Sequence, residues 1–233
     1  MKVAIMQPYL FPYVGYFQLV QAVDHFVFYD DVHFIKGGWI NRNTVLASGQ
    51  KLNFVIPCIG ISSSKLINEI HIASDDSKFK KTIKSLTQAY SPTAHFEIGF
   101  QIINDTLLSS DKRISHIAGE SVKKVAEYLD LTCSFSFSSE IFAHTRSLGR
   151  EERIIEICKE LGATQYVNPE GGKFLYNPQS FRRKNIQFST LAPELKPYRQ
   201  SASEFVPALS IIDLFMNEGR ENCLHHVQHG IVK

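Results

Sequence analysis

The chain has 233 residues, of which 44% are hydrophobic and 21% are charged, and its formal net charge is +2. This length permits one large α/β domain whose core needs no disulfide or metal to hold it together. The composition excludes a disordered chain, a coiled coil and a collagen-like fibre. A charge of +2 gives no electrostatic reason to expect nucleic acid as a partner.

The sequence carries no sign of a membrane or secretory segment. It has no run of about 18 apolar residues, so we expect no membrane span. Residues 1–8 contain one basic residue and a short apolar stretch, which is not the pattern of a signal peptide. The four cysteines are scattered and form no CxxC pair. We therefore expect reduced thiols, a cytoplasmic location and no zinc site built on cysteine pairs.

The first thirty residues alternate between strand and helix patterns. Apolar residues 3–6 predict a buried strand that ends at Gln7-Pro8. Near-helical spacing over residues 13–23 predicts a helix, and the aromatic and β-branched residues 25–29 predict a second strand. This order is typical of two parallel strands joined by a right-handed crossover.

The remaining predicted elements alternate in the same way. Strands are predicted over 52–59, 67–72, 132–137, 165–167 and 186–189, and helices over 78–90, 96–108, 114–129, 151–161, from 173, and 205–217. We therefore predict a single α/β domain over residues 1–233 with a Rossmann-like, mainly parallel sheet. A helical insert is expected at about residues 76–130, and a loose, His-rich tail at residues 221–233.

The first candidate site is the segment 7–16, which follows the first strand. Ligands of open parallel sheets bind beyond the carboxyl ends of the strands, and a helix N-terminus favours an anion. Tyr13-Val14-Gly15-Tyr16 stands where adenylyl-transferring nucleotidyltransferases carry His-x-Gly-His. Tyrosine does not supply the protonated imidazoles of that motif, so the comparison argues against the same reaction. Alternatively, the prolines and aromatic residues only pack a tight turn.

The second candidate site is the segment 30–43, which follows the second strand. It includes Asp30, Asp31, His33, Phe34, Lys36, Trp39, Asn41, Arg42 and Asn43. Paired carboxylates can raise one pKa and create an acid or base, and Lys or Arg suits a phosphate or carboxylate. Trp39 and Phe34 could stack on a base or sugar. Alternatively, the aspartates end the strand and pair with Arg42 while Trp39 covers the core.

Three weaker signals lie elsewhere in the chain. Segment 168–173 places Gly171-Gly172 at a strand-to-helix junction, where backbone N–H groups could meet an anion, or which is a plain turn. The tail residues Cys223, His225, His226 and His229 could bind a metal, although a mobile tail accounts for them equally well. Cys58 follows a strand and could be a nucleophile, but no base is located for it.

These segments together carry a resemblance to a known family. The sequence resembles the WbqC-like family at VAIMQP (3–8), PYVGYF (12–17), FVFYDDV (26–32), Lys36, WINRN (39–43), LGA (161–163) with Tyr166, and LSIID (209–213). The resemblance spans most of the chain. One position departs from the family pattern, because His33 stands where glutamine is expected after Asp-Asp-Val.

The resemblance implies a function in glycan assembly, since members of this family are associated with O-antigen and other surface-glycan gene clusters. It implies a cytosolic step on a nucleotide-activated sugar. We expect acyl or aminoacyl transfer to a sugar amine, with a carrier protein or a coenzyme A thioester as donor. No cofactor is identified, and no metal ligand is assigned.

The expected site combines both loops. Its hypothetical catalytic residues are Asp30, Asp31 and His33, of which Asp31 or His33 takes a proton from the attacking amine. Its hypothetical substrate-binding residues are Gln7, Tyr13, Tyr16, Lys36, Trp39, Asn41 and Arg42. Among these, Lys36 and Arg42 hold phosphate, Trp39 and Tyr13 stack on a ring, and Gln7 and Asn41 orient polar groups.

Two alternatives remain open. One is a nucleotidyl- or glycosyl-transferase that uses the same pocket, with Mg²⁺ held by Asp30 and Asp31. The other is a non-catalytic sugar-nucleotide binding protein, which would bind its ligand without turnover.

Overall fold

The computed structural model describes residues 1–233. Its strands are Lys2–Met6 (β1), His25–Phe28 (β2), Arg42–Ala47 (β3), Gln50–Val55 (β4), Cys58–Ile59 (β5), His71–Ile72 (β6), Ser134–Phe137 (β7), Gln165–Pro169 (β8), Gln187–Ala192 (β9) and Ile231–Val232 (β10). Its α-helices are Val14–Gln21 (α1), Ser77–Tyr90 (α2), Phe96–Leu107 (α3), Ile114–Tyr128 (α4), Ser138–Ile141 (α5), Arg150–Glu160 (α6), Pro178–Arg182 (α7) and Ile211–Val227 (α8).

Six strands form the central sheet, in the order β10-β9-β8-β1-β2-β7. Every neighbouring pair is parallel except β10 with β9, which is antiparallel. Two small antiparallel pairs, β3 with β4 and β5 with β6, lie outside this sheet. The prediction of an α/β fold with a mainly parallel, Rossmann-like sheet is therefore confirmed.

The sheet is buried on both faces, as parallel sheets are. Side chains alternate along β1, so that Ala4 joins the larger apolar core while Val3 and Ile5 join the smaller one. The larger core also receives residues from α1, α2, α3, α4 and α8, and the smaller one receives residues from α6 and α7. Helices α2, α3 and α4 fall within the range in which the sequence predicts a helical insert.

Several predicted boundaries are wrong near prolines and caps. The predicted strand 52–59 is divided into β4 and β5, because the chain turns at Ile56-Pro57, where proline has no N–H for a ladder. The predicted strand 67–72 begins as a 3₁₀ turn over Ile67–Glu69 and leaves only β6 extended. Strand β3 was not predicted, because its first residues belonged to a polar segment interpreted as a loop.

The C-terminal region differs most from the prediction. The last helix begins at Ile211, where the Ser210 side chain accepts a hydrogen bond from the Ile212 N–H at 3.3 Å. The helix is broken by a kink at Gly219, whose φ is 71°, and a second helical segment then runs to Val227. Strand β10 follows and pairs with β9. The expectation of a loose tail over residues 221–233 is corrected by this structure, since Cys223 and Val227 are fully buried in the larger core.

Candidate functional site

The carboxyl edge of the sheet gathers the loops in which sequence analysis placed function. Strands β1, β2, β7 and β8 are parallel, so the segments that follow them emerge on one side. From β1 the sheet grows through β2 to β7 in one direction, and through β8 to β9 in the other. Ligands of open α/β sheets bind at such a change of direction, here between the ends of β1 and β8.

Beside the β1 loop lies a pocket with aromatic walls. Its volume is about 270 Å³, and it is lined by Tyr9, Pro12, Tyr13, Trp39, Asn43 and Ala208; we call these six residues the aromatic pocket. Trp39 is 45% exposed, and the Arg42 guanidinium lies 5.9 Å from the centre of its ring. A flat apolar wall beside a cation suits a sugar or base that carries a negative charge nearby.

Hydrogen bonds to backbone carbonyls join the loop after β1 to residues 39–43 at the start of the β3–β4 hairpin. The buried Asn43 amide donates to the carbonyls of Leu10 at 3.0 Å and Phe11 at 2.8 Å. The Leu10 N–H donates to the Trp39 carbonyl at 3.0 Å. The two candidate loops are therefore held together as one unit, and Asn43 donates two of the hydrogen bonds that link them.

Asn41 has a similar structural task. Its side-chain amide donates to the Ile56 carbonyl at 2.9 Å, and its main-chain carbonyl accepts from the Ile56 N–H at 2.8 Å. Asn41 is buried, so the amide expected to orient substrate is engaged with the hairpin instead.

Tyr13 and Tyr16 occupy different environments although both flank the helix start. Tyr13 is half-buried in the pocket wall, where burial raises the pKa of its hydroxyl. Tyr16 is 2% exposed and packs on Phe26 with ring centres 5.2 Å apart. Its hydroxyl donates to the Gln7 main-chain carbonyl at 2.9 Å. Tyr16 therefore supports the loop after β1 and does not line the pocket.

The two aspartates that follow β2 are enclosed. Together with Ser138, Ser139 and Arg153 we call them the carboxylate cluster. The Asp31 side chain has no exposed surface; it accepts from Arg153 at 2.6 Å and from the Ser138 hydroxyl. Arg153 is itself buried and lies 4.7 Å from the centre of the Tyr29 ring. This geometry is that of a buried ion pair.

Asp30 is also completely buried, and its carboxylate is satisfied by serine donors. It accepts from the Ser139 N–H at 3.0 Å and from the Ser139 hydroxyl at 2.8 Å. Burial raises the pKa of the Asp30 carboxyl, and the hydrogen bonds from Ser139 oppose this rise. Neither carboxylate presents a free oxygen to a ligand or to Mg²⁺, and Arg153 would repel a cation.

His33 and Lys36 are exposed. His33 Nδ1 lies 3.0 Å from the Ser63 carbonyl oxygen. Because a carbonyl only accepts, Nδ1 carries the hydrogen in the neutral ring and Nε2 keeps its lone pair. Lys36 forms no ion pair and lies three residues before Trp39 in the same segment.

The third candidate segment lies at the end of β8. The Asn168 side chain is buried there; its oxygen accepts from the Tyr166 hydroxyl at 3.2 Å, and its Nδ2 has no partner. The predicted helix from Lys173 is instead a 3₁₀ helix over Glu170–Leu175 followed by α7. Of the weaker signals, burial raises the pKa of the Cys58 thiol to about 12, so a thiolate is not available near neutral pH.

Sequence analysis missed several residues that build these sites. They are Ala208 in the pocket wall, and Ser138, Ser139 and Arg153 in the carboxylate cluster. Tyr9 in the pocket wall lies within the first candidate segment, but no role was assigned to it. Only Arg153 could have been found from the sequence. It lies on the apolar side of an amphipathic helix next to Ile154 and Ile155, where a buried arginine needs a charged partner.

Two further observations concern the molecule as a whole. No group of three or more His, Cys, Asp or Glu side chains is arranged to hold a metal ion. None of its helices combines the length and apolar character required to cross a bilayer.

Comparison with known proteins identifies a family for this sequence. The WbqC-like protein family matches residues 7–225. The uncharacterized protein Rv1507c of Mycobacterium tuberculosis is 29% identical over 224 residues, which cover 94% of this chain and 95% of that protein. No solved structure matched the chain. The resemblance identified in the sequence is confirmed, and the chain belongs to the WbqC-like protein family.

Proposed function

We propose that this chain is a cytoplasmic enzyme of surface-glycan assembly that transfers an acyl or aminoacyl group to the amine of a nucleotide-activated amino sugar. The observation that carries the proposal is the aromatic pocket, whose Tyr13 and Trp39 walls stand beside Arg42. A sugar or base ring stacks on these walls while the guanidinium meets an attached phosphate. The association of WbqC-like proteins with O-antigen clusters supports a glycan substrate.

The reaction class is a nucleophilic acyl substitution. The sugar amine attacks the carbonyl carbon of a thioester, a C–N bond forms, the C–S bond breaks, and the thiolate leaves. The amine loses one proton, which a base accepts and returns to the thiolate, so atoms and charge balance. The donor is a thioester of a carrier protein or of coenzyme A.

His33 is the residue that we assign to this proton transfer. Its Nδ1 faces the Ser63 carbonyl, which orients the ring and leaves Nε2 as the acceptor. Asp31 suits the role less well, because Arg153 and Ser138 already occupy its carboxylate. We therefore assign Asp30 and Asp31 to holding the β2 and β7 ends together.

The first experiment is a thermal-shift screen of the purified protein. The panel contains UDP-, GDP- and dTDP-sugars with and without an amino group, ATP with Mg²⁺, and coenzyme A thioesters. A ligand at about a hundredfold over its Kd stabilises the protein by about 2.7 kcal/mol, which gives a clear shift. A shift confined to amino-sugar nucleotides supports the proposal and names the acceptor.

Other outcomes contradict it in distinct ways. A shift with ATP and Mg²⁺ alone favours a nucleotidyltransferase, and sugar-nucleotide binding without product in the presence of thioesters favours a binding protein. Two variants sharpen the result. His33→Gln should abolish acyl transfer while the sugar nucleotide still binds. Arg42→Ala should weaken the binding of anionic ligands. Unchanged affinity in the Arg42 variant would remove that residue from the site.

A further inference from the structure

The positive charge of the chain is concentrated in two stretches, residues 32–68 and 77–96. Together they carry eight lysine and arginine side chains and no aspartate or glutamate. Because the net charge of the whole chain is only +2, the remaining residues are acidic on balance. The first stretch contains the β3–β4 hairpin and the second contains α2. The small total charge therefore conceals an uneven distribution, which produces a strong local field.

These two elements pack against each other. The Thr82 hydroxyl of α2 donates to the Val55 carbonyl of β4 at 2.9 Å, and the Leu46 N–H of β3 donates to the Tyr90 hydroxyl of α2 at 3.4 Å. The exposed lysines of the two elements therefore belong to one surface. We call this surface the basic face and define it by Lys51 of β4 and Lys78, Lys80, Lys81 and Lys84 of α2.

Nothing within the chain neutralises the basic face. None of its five lysines forms an ion pair. Of the acidic residues between the two stretches, Glu69 and Asp76 each accept a main-chain N–H at 2.8 Å, and Asp75 is exposed without an ion pair. Lysines three and four residues apart on a helix repel one another, which lowers the stability of α2 slightly. The fold thus maintains a concentration of charge that its own contacts do not use.

Between β4 and α2 the basic face contains a groove of about 280 Å³. Leu52, Val55 and Pro57 line it on the hairpin side, and Lys78 and Lys81 line it on the helix side. Val55 is 44% exposed, so apolar surface in the groove faces water beside two cations. An apolar centre with a polar, charged rim is the usual anatomy of a protein-binding surface.

The groove and the aromatic pocket are built on the same hairpin. In the β3–β4 ladder Val55 pairs with Arg42 and Phe54 pairs with Asn43, and such pairs are direct neighbours across the strands. Asn43 lines the aromatic pocket, and Arg42 lies beside the Trp39 ring. A molecule bound in the groove therefore lies next to the pocket in which we place the amino sugar.

We propose that the basic face docks an acidic protein, and that this partner is the carrier protein whose thioester supplies the acyl group. The identity of the partner as acyl donor rests on the proposed function, whereas the docking of an acidic protein does not. The matching surface of the partner is an amphipathic acidic segment. Its apolar side enters the groove, and its carboxylates meet Lys78 and Lys81.

Nucleic acid matches the groove less well than an acidic protein does. Its affinity comes from phosphate contacts and from stacking of bases on aromatic side chains. No exposed aromatic side chain lines the groove, and nucleic acid gains little from the exposed apolar surface of Val55. Charge and apolar surface together therefore favour a protein.

Calorimetry on the full chain tests the docking with a bacterial acyl carrier protein in its apo form, which lacks the thioester arm. The apo carrier should bind, and more weakly at higher salt. The double variant Lys78→Glu with Lys81→Glu should weaken binding about tenfold or more, because attraction at two contacts becomes repulsion. Arg183→Glu with Lys184→Glu changes the net charge equally outside the basic face and should leave affinity unchanged.

Val55→Thr tests the apolar part of the groove. Threonine keeps the β-branched shape that suits a strand but replaces a methyl group by a hydroxyl. We expect binding of the apo carrier to weaken about threefold. Thermal unfolding of every variant checks that the fold is intact.

The docking proposal is overturned if the apo carrier does not bind, or if the Lys78 and Lys81 variant binds it as tightly as the Arg183 and Lys184 control does. It is also overturned if a short DNA duplex binds more tightly than the carrier, through the same lysines and independently of Val55. That result would make the basic face a nucleic-acid site.

Acyl transfer from a coenzyme A thioester measures the proposed function separately, since that donor brings no protein to dock. Transfer from coenzyme A without carrier binding would remove the docking proposal alone. Carrier binding without transfer from either donor would remove acyl transfer and leave the docking surface. Loss of transfer from the carrier thioester alone, in the Lys78 and Lys81 variant, would support both.

Discussion

The aromatic pocket and the carboxylate cluster both draw on residues 30–43, yet they expose their side chains in opposite ways. Trp39 shows nearly half of its surface to solvent, whereas Asp30 and Asp31 show almost none. The pocket keeps apolar surface in water, which costs free energy that ligand binding would recover. The cluster keeps charge out of water, which is tolerable only because Arg153 and two serines satisfy it. Exposure thus separates the residues that we propose as ligand contacts from the residues that hold the loops.

The strongest test of this distinction is Asp31→Asn. The substitution keeps the shape of the side chain but leaves the Arg153 charge buried without its partner. We expect the free energy of unfolding to fall by about 3–5 kcal/mol, measured by urea denaturation. Asp130→Asn, which breaks an exposed pair with Arg220, should change it by less than about 1 kcal/mol. A stable Asp31 variant that binds ligand but does not turn over would instead make Asp31 catalytic.

A second test introduces a side chain at Gly15, next to the pocket residue Tyr13. A Cβ at Gly15 would lie 2.4 Å from the Tyr13 ring and 2.7 Å from the Pro193 Cβ. Gly15→Ala should therefore displace Tyr13, lower stability by about 1–3 kcal/mol and weaken ligand binding. Gly171→Ala is the matched control, because nothing lies within 4 Å of its Cβ position. Equal stability of the two variants would show that Tyr13 moves without cost.

Trp39→Ala tests the pocket without touching the core. Loss of one stacking surface should weaken ligand binding by about 1–3 kcal/mol, measured by calorimetry with the ligand that the thermal-shift panel identifies. The free energy of unfolding should change by less than about 0.5 kcal/mol, because Trp39 is largely exposed. Phe174→Ala removes a more exposed aromatic residue from outside the pocket and should alter neither quantity. An unfolded Trp39 variant would place this residue with the structural cluster.

The smallest effect is expected beside the carboxylate cluster, at the start of α4. A hydrogen bond from Arg113 lowers the pKa of Asp111 from 3.8 to about 2, with His116 contributing to the same direction. A carboxyl whose pKa is depressed on folding stabilises the fold above the unfolded pKa. That contribution is lost as pH falls from about 4 towards 2. Asp111→Asn should therefore show a flatter decline of stability over this range in urea titrations, and an unchanged decline would contradict it.

The hydrophobic pattern of the sequence predicted those strands and helices whose own residues are strongly apolar or regularly spaced. A continuous apolar run predicted β1, helical spacing predicted α1, and a run of aromatic and β-branched residues predicted β2, each to within a few residues. The two runs are apolar throughout because burial on both sheet faces requires an apolar strand. Strand β3 escaped detection, since Arg42, Asn43 and Thr44 are polar and bury only alternate positions. The predicted start of the terminal helix, residue 205, is too early, because Ser210 caps the helix and its first residue is Ile211.

The candidate site was predictable only where its parts are close in the sequence. Trp39, Arg42 and Tyr13 were named from their own segments, and the structure places Tyr13 and Trp39 in one pocket with Arg42 beside Trp39. Arg153 pairs with Asp31 across 122 residues, and Ser138 across 107. A single sequence holds no record of such pairings, so the exposed role assigned to the aspartates followed from composition alone. Packing decides which charges are buried, and packing is set by distant segments.

The central position of β1 has a consequence for how the chain folds. This strand is synthesised well before its neighbour β8, since Thr164 hydrogen bonds to Met1 across 163 residues. One side of β1 can pair early with β2, while the other side stays an open edge until β8 emerges from the ribosome. Such long-range closure slows folding and leaves aggregation-prone intermediates exposed. We therefore expect expression at low temperature, or with chaperones, to raise the soluble yield.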